Sequence, residues 1–154
     1  MGMPPTELYG ELLEQAKMGH PDSSFGDWFD YFDSVQVVRN AELEGNKVHV
    51  LQLRRDEMPP VTIHVDANNG DILKEELVIL TEGGIGIPIE TLYEDYREVK
   101  GVRIPFRTIS SNEASGQTVM QINEIKTGLK LDDNSFSLDS PIDIISYYCS
   151  YCFN

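Results

Sequence analysis

The 154-residue chain has few basic residues, few cysteines and no long apolar run. It contains 12 Lys and Arg against 26 Asp and Glu, which gives a formal net charge of −14 at pH 7. Such a field repels phosphate backbones and anionic headgroups, so nucleic-acid binding and electrostatic attachment to a membrane are both disfavoured. No apolar stretch approaches the roughly 20 residues that a transmembrane helix needs, so we predict no membrane span.

The only two cysteines, Cys149 and Cys152, form one Cys-x-x-Cys near the C-terminal end. A redox motif places its first Cys at a helix N-terminus, whereas the residues before Cys149 are typical of a strand or a tail. A structural zinc site needs two further soft ligands. We interpret the pair as incidental, with a disulfide and a redox or metal role as alternatives, and we predict no metal and no cofactor.

The N-terminal residues lack the basic and apolar regions of a signal peptide. Without such a signal, the chain is either a cytoplasmic protein or an excised part of an exported one. The length is that of one domain, which we assign to residues 1–154. Within it we interpret residues 1–5 as an artificial start and residues 141–154 as a tail whose role stays open.

One segment has clear helical periodicity. Leu8, Leu12, Leu13 and Ala16 recur at helical spacing, which predicts a helix over residues 6–18. The aromatic cluster at residues 25–32 fits either a short helix or an edge segment.

From residue 34 onward the pattern is β. Residues 61–65 alternate strictly, and Asn69-Gly70 and Lys100-Gly101 are turn signals. We predict about eight short strands in which sequence neighbours pair antiparallel. The clearest of them cover residues 35–39, 47–53, 61–65, 72–80, 88–99, 102–107 and 118–125.

The predicted fold class is α+β, a curved antiparallel sheet, or half-barrel, wrapped around the N-terminal helix. Alternating strands give the sheet one apolar face, and a single helix cannot cover that face if the sheet is flat. Curling the sheet around the helix solves this problem. Any apolar surface left uncovered then forms a pocket.

Residues 87–106, with the sequence IPIETLYEDYREVKGVRIPF, resemble a recurring segment of the LolA-like superfamily. These are the outer-membrane lipoprotein-sorting proteins and their relatives among exported bacterial proteins. Residues 62–73 are similar to the strand–Asp–turn–Gly–strand unit that precedes this segment, and residues 131–137 to the acidic turn and Phe that follow it. The resemblance implies a half-barrel on helical cover, an apolar cavity that holds acyl chains in the carriers, and a periplasmic or otherwise extracytoplasmic location.

The predicted function is therefore non-enzymatic binding of an apolar ligand, a lipid or a lipidated peptide such as a lipoprotein, in the concave face of the sheet. The alternative is a structural or protein-interaction module of a larger exported protein, with its interior filled by its own side chains. The candidate lining residues are Trp28, Val61, Ile63, Val65, Leu77, Ile79, Val102, Ile104 and Phe106.

Charged residues suggest fewer sites. Asp95, Arg97 and Arg103 form either a headgroup site at a hairpin mouth or ion pairs across the Lys100-Gly101 turn. The alternation of the strand at 61–65 places His64 outward, so we predict that it is a surface residue. No Ser or Cys stands with His and Asp in a nucleophile motif, so we predict no catalytic residue.

Overall fold

The computed structural model describes residues 9–10, 13–14, 16, 28–81, 83–113, 115–130 and 150–152. The elements whose bounds lie within these residues are a short helix and eight strands. The elements are α1 (Trp28–Tyr31), β1 (Ser34–Leu43), β2 (Asn46–Arg54), β3 (Val61–Asp66), β4 (Ile72–Leu80), β5 (Gly86–Val99), β6 (Val102–Asn112), β7 (Gly116–Gln121) and β8 (Ser150–Cys152).

The strands form one open, curved antiparallel sheet whose spatial order is the order of the chain, β1 to β8. Seven of them make the body of the sheet, and the three-residue β8 pairs with β7 at its edge. The predicted antiparallel pairing of sequence neighbours is confirmed. Since β1 and β8 do not pair with each other, the sheet is not a closed barrel.

Two tight turns connect long strands. Glu44 and Gly45 between β1 and β2, and Lys100 and Gly101 between β5 and β6, all have positive φ angles of 49° to 85°. Two consecutive positive φ angles define a type I′ turn, whose twist matches that of the flanking strands. Glycine at the second position adopts this conformation without steric cost.

Irregularities bend the sheet in several places. The register shifts between Val37 and Arg39 of β1 and between His64 and Val65 of β3. Asp95 in the middle of β5 has a φ of 53°, an uncommon conformation for a residue other than glycine. The two register shifts are bulges, which increase local twist and change the direction of the side chains around them.

Cross-strand partners point to the same face of a sheet, so the register defines two faces. The core face carries Leu53, Val61 and Ile63, which pack with Phe32 as a buried cluster. The reverse face carries Val50, paired with His64, which is paired with Lys74.

The two segments considered as helices, residues 25–32 and 6–18, differ in how far the structure describes them. The aromatic segment does contain a helix, α1, and the Phe32 amide donates to the Trp28 carbonyl oxygen at 2.8 Å. The helix predicted over residues 6–18 lies mostly outside the described residues, as do the residues of the predicted acidic turn at 131–137. Within the described part of the chain, no helix has the length and hydropathy needed to span a membrane.

The strand predictions need correction mainly at their ends. Residues 72–80 are a strand as predicted, but β6 continues to Asn112 and β7 ends at Gln121 rather than 125. The eighth strand, β8, comes from the tail rather than from the body of the chain.

Candidate functional site

The core face has an apolar patch on β1 to β4. Its buried centre is Phe32, Leu53, Val61 and Ile63, and partly buried apolar side chains surround that centre. The surrounding residues are Trp28, Tyr31, Val35, Leu51, Val65, Ile72 and Leu77. Because these side chains are partly accessible, the patch offers apolar surface at the margin of a packed core.

The structure brings together five of the nine predicted lining residues. Val61 and Ile63 lie in the buried centre of the patch, and three more pack against it, namely Trp28, Val65 and Leu77. These five form the part of the predicted lining that is one continuous surface.

The other four predicted lining residues lie outside the patch. Ile79 and Ile104 are half-buried, and Phe106 is buried on the β5–β6 hairpin. Val102 shares its face with Phe106 by alternation, but it is 57% exposed because it begins β6 at the hairpin turn. A role of these four residues in ligand binding stays a prediction.

The predicted charged trio does not form one site. Arg97 donates to both carboxylate oxygens of Asp95, at 3.0 and 2.5 Å, and its guanidinium lies 4.4 Å from the centre of the Phe106 ring. Arg103 points to the reverse face and donates to both oxygens of Asp71 at 2.8 and 2.6 Å. Neither pair crosses the hairpin turn, so the cross-strand alternative is not what the structure shows either.

The Asp71–Arg103 pair fastens the β5–β6 hairpin to the β3–β4 turn. Asp71 is only 7% exposed, whereas Arg103 is half-exposed and also lies 5.7 Å from the centre of the Tyr96 ring. Tyr96 adds a second link, since its hydroxyl donates to the Ile72 carbonyl oxygen at 2.6 Å. Burial and the neighbouring Asp71 charge raise the pKa of the Tyr96 hydroxyl above its usual range.

His64 is buried, so its predicted surface position is wrong. The residue is 6% exposed, and within the described part of the chain neither ring nitrogen has a hydrogen-bond partner. Its Nε2 lies 3.6 Å from Glu76 Oε2, too far for a hydrogen bond. Alternation shows only which way a side chain points, and here the reverse face is covered too, since Val48 and Val50 are almost completely buried.

An ion-pair network borders His64 on the reverse face. Lys74 Nζ lies 2.9 Å from Glu76 Oε1 and 2.6 Å from Glu90 Oε2. The hydrogen bond from Lys74 lowers the pKa of Glu76. Burial alone lowers the pKa of Lys74, but the hydrogen bonds to Glu90 and Glu76 outweigh it and leave that pKa raised. The ion pair therefore favours the charged forms of Lys74 and Glu76.

Polar side chains interrupt the core face beyond β3. Ile63 pairs with Glu75, Glu75 with Thr91, and Thr91 with Ser110, so one cross-strand row changes from apolar to polar at β4. The Tyr93 hydroxyl donates to Glu75 Oε2 at 2.8 Å. Burial, followed by the Glu75 charge, raises the pKa of the Tyr93 hydroxyl far above its usual range.

A small cleft of about 220 Å³ opens between the β1–β2 turn and β5. None of the predicted lining residues contributes to it, and it is smaller than the cavity of several hundred Å³ expected for a carrier. It is lined by Leu43, Glu44, Asn46, Leu73, Leu92, Tyr93, Glu94, Asp95 and Tyr96. Among the described residues, no group of three or more acidic, His or Cys side chains is placed to hold a metal ion.

Two solved structures share this sheet. A LolA superfamily protein from Nitrosomonas europaea is 24% identical and superposes with a TM-score of 0.51, over 69% of this chain and 49% of that one. A domain described as an outer membrane lipoprotein-sorting protein, from Vibrio parahaemolyticus, is 16% identical with a TM-score of 0.53, over 67% and 45% of the two chains. The fold is LolA-like.

At these identities the likeness concerns the LolA-like fold alone. The chain spans about half the length of the two LolA-like structures it matches. No protein-family profile matches the sequence. No curated protein matches it at a significant level either.

The cross-strand row of Glu75, Thr91 and Ser110 and the Asp71–Arg103 pair were not predicted from the sequence. Asp71 and Arg103 are 32 residues apart, so their pairing depends on how far two hairpins extend and bend. Glu75 and Tyr93 are 18 residues apart on neighbouring strands, and alternation does place Glu75 and Leu77 on one face of β4. That alternation was the available signal for a polar interruption of the apolar face.

Proposed function

We propose that this LolA-like domain binds an apolar ligand on its core face and catalyses no reaction. The ligand is a lipid or the acyl part of a lipidated peptide, and the location is outside the cytoplasm. The observation that carries this proposal is the continuous apolar patch, whose margin includes Trp28, Val65 and Leu77. The likeness of the whole fold to a lipoprotein-sorting domain from Vibrio parahaemolyticus supports the same assignment.

The patch sits where an elongated ligand gains free energy by leaving water. Burying one aliphatic side chain or ligand segment contributes about 25 cal/mol per Å² of apolar surface. An acyl chain lying along the partly buried margin would cover several such side chains at once. The strong negative charge of the chain does not oppose this binding, because burial of uncharged surface does not depend on net charge.

The direct test is native mass spectrometry of gently purified protein, followed by organic extraction of any bound material. We expect additional mass that extracts as a lipid or a lipopeptide. A mass equal to that of the free chain, unchanged after incubation with lipids, contradicts the proposal.

Trp28 provides a quantitative readout, because it is the only tryptophan of the chain and packs against the patch. We expect its emission to shift to shorter wavelength as an acyl probe binds. Leu77→Ala should weaken binding about tenfold, since it removes apolar contact area from the margin. Leu129→Ala is the matched control, because Leu129 is exposed outside the strands and its replacement should leave binding unchanged.

A protein-interaction module is the second candidate, favoured by the β1 edge. Val37 and Val38 are 62% and 52% exposed, and within the described residues β1 pairs only with β2. An edge strand with exposed apolar side chains can accept another strand. If this module is the function, Val38→Lys abolishes binding of a partner protein, while the Trp28 emission shows no response to acyl probes.

A further inference from the structure

Four side chains form a polar stripe on the core face beside the apolar patch. They are Glu75 on β4, Thr91 and Tyr93 on β5, and Ser110 on β6. Register connects the stripe directly to the patch, because Glu75 is the cross-strand partner of Ile63. The core face thus changes from apolar to polar within one strand spacing.

The members of the stripe bind one another. The Tyr93 hydroxyl donates to Glu75 Oε2 at 2.8 Å, and the Thr91 and Ser110 hydroxyl oxygens are 3.0 Å apart. A carboxylate has about four acceptor positions, and Tyr93 occupies one of them. Glu75 therefore keeps acceptor capacity on the face where the ligand is proposed to lie.

The charges around the stripe favour one kind of head group. Lys74, the nearest cation along β4, belongs to the reverse face and is held by Glu76 and Glu90. Arg97 lies farther along β5, where it is bound to Asp95. Among the described residues, the stripe itself contains no cation, so an anion placed there would be repelled by the Glu75 carboxylate.

We infer that the bound amphiphile has a head group that carries hydrogen-bond donors and no negative charge, and that Glu75 selects it. This inference rests on the proposed function, since it assumes that the acyl chain lies on the apolar patch. The hydroxyl groups of a glyceride and the amide groups of an acylated peptide share this chemistry. A fatty-acid carboxylate or a phosphate monoester lacks it and is repelled.

The test compares three probes with the same 12-carbon chain, used below their micelle concentrations at pH 8. They are monododecanoylglycerol, N-dodecanoylglycinamide and dodecanoate. Trp28 emission reports the Kd of each. We expect wild-type protein to bind the two uncharged probes at least about tenfold more tightly than dodecanoate, because only dodecanoate places a charge near Glu75.

Two variants assign the selectivity to Glu75. Glu75→Gln keeps an acceptor for the Tyr93 hydroxyl and removes the charge, so dodecanoate should gain about tenfold while the uncharged probes change less than about threefold. Glu98→Gln removes an equal charge from an exposed site on the hairpin, outside the stripe, and should leave all three Kd values unchanged. Circular dichroism verifies that both variants are folded.

The remaining outcomes contradict either the inference alone or the proposed function together with it. Equal binding of dodecanoate by the wild type, unchanged selectivity in Glu75→Gln, or an equal effect of Glu98→Gln overturns the inference while leaving apolar binding in place. Failure of all three probes to bind overturns the proposed function and the inference together. If the inference holds, the tighter of the two uncharged probes distinguishes a glyceride from an acylated peptide.

Discussion

The β1–β4 half of the sheet and the β5–β6 hairpin use different interactions. In the first half, aliphatic and aromatic side chains pack on the core face around Leu53 and Ile63. The hairpin is fastened to its neighbours by Asp71–Arg103 and by the hydroxyl groups of Tyr93 and Tyr96. One half is held by the removal of apolar surface from water, the other by directed polar contacts.

This difference sets how each half responds to its surroundings. Apolar burial is little affected by ionic strength, whereas partly exposed ion pairs weaken as salt screens them. Salt should therefore loosen the hairpin before it affects the β1–β4 half. Four substitutions sharpen or break the comparison.

The largest effect is expected from the centre of the apolar half. Ile63→Ala removes buried methyl and methylene groups and leaves a cavity, so we expect the free energy of unfolding to fall by about 3 kcal/mol. Urea unfolding measures the change. A loss no greater than that of the exposed control Val102→Ala, which should be within about 0.5 kcal/mol of wild type, would show that Ile63 is not in the core.

The Asp71–Arg103 ion pair should contribute less to the free energy of unfolding than Ile63 does. Asp71→Asn keeps the shape of the buried side chain but removes the charge that Arg103 neutralises, and we expect a loss of about 1–2 kcal/mol. The loss should shrink in high salt, and hydrogen exchange should accelerate in β5 and β6 before the other strands. Lys126→Gln is the control, since its exposed pair with Glu124 lies outside the hairpin. Equal acceleration of hydrogen exchange in all strands would show that the Asp71–Arg103 pair does not stabilise the hairpin locally.

Replacing His64 should raise the stability of the folded chain rather than lower it. Both ring nitrogens are buried, and no described residue hydrogen-bonds to them, so the folded state bears a desolvation cost. His64→Leu removes both nitrogens at similar volume, and we expect the melting temperature to rise, equivalent to about 1 kcal/mol. A decrease would mean that the imidazole makes a stabilising polar contact, and the interpretation of the site would change accordingly.

The smallest effect at neutral pH is expected from Tyr93→Phe, and the stability advantage of the wild type over this variant should diminish at alkaline pH. The folded-state pKa of Tyr93 is raised, so its contribution is fully present below the unfolded pKa of about 10 and is lost as pH rises above it. The wild type should therefore lose stability between pH 10 and 11 more steeply than the variant, by about 1 kcal/mol. Parallel pH profiles would show that the phenol ionises equally well in the folded chain.

The strand order and most turns could be predicted from the sequence because they depend on neighbouring residues. Alternation located β3, the Asn69-Gly70 turn signal placed β4 after it, and Lys100-Gly101 marked the longest hairpin. The burial of His64 could not be predicted, because period-two alternation does not reveal what covers the reverse face. The split of Asp95 and Arg97 from Arg103 depends on alternation along two strands and on the irregular conformation at Asp95.

The candidate site was predicted in part for the same reason. Val61, Ile63 and Val65 belong to one strand face, so alternation was enough to group them. Ile104 and Phe106 belong to a hairpin whose position relative to the patch depends on tertiary contacts. Such contacts join residues far apart in the chain, and local patterns do not contain them.

The strict spatial order of the strands has a consequence for how the chain folds. Each of the first seven strands meets its partner within a short segment of chain, so little loop entropy is lost before pairing begins. The sheet can therefore grow by adding one strand at a time, starting from a hairpin such as β5–β6. Such assembly does not require the two ends of the chain to meet, and a change in length at either edge leaves the pairing of the central strands intact.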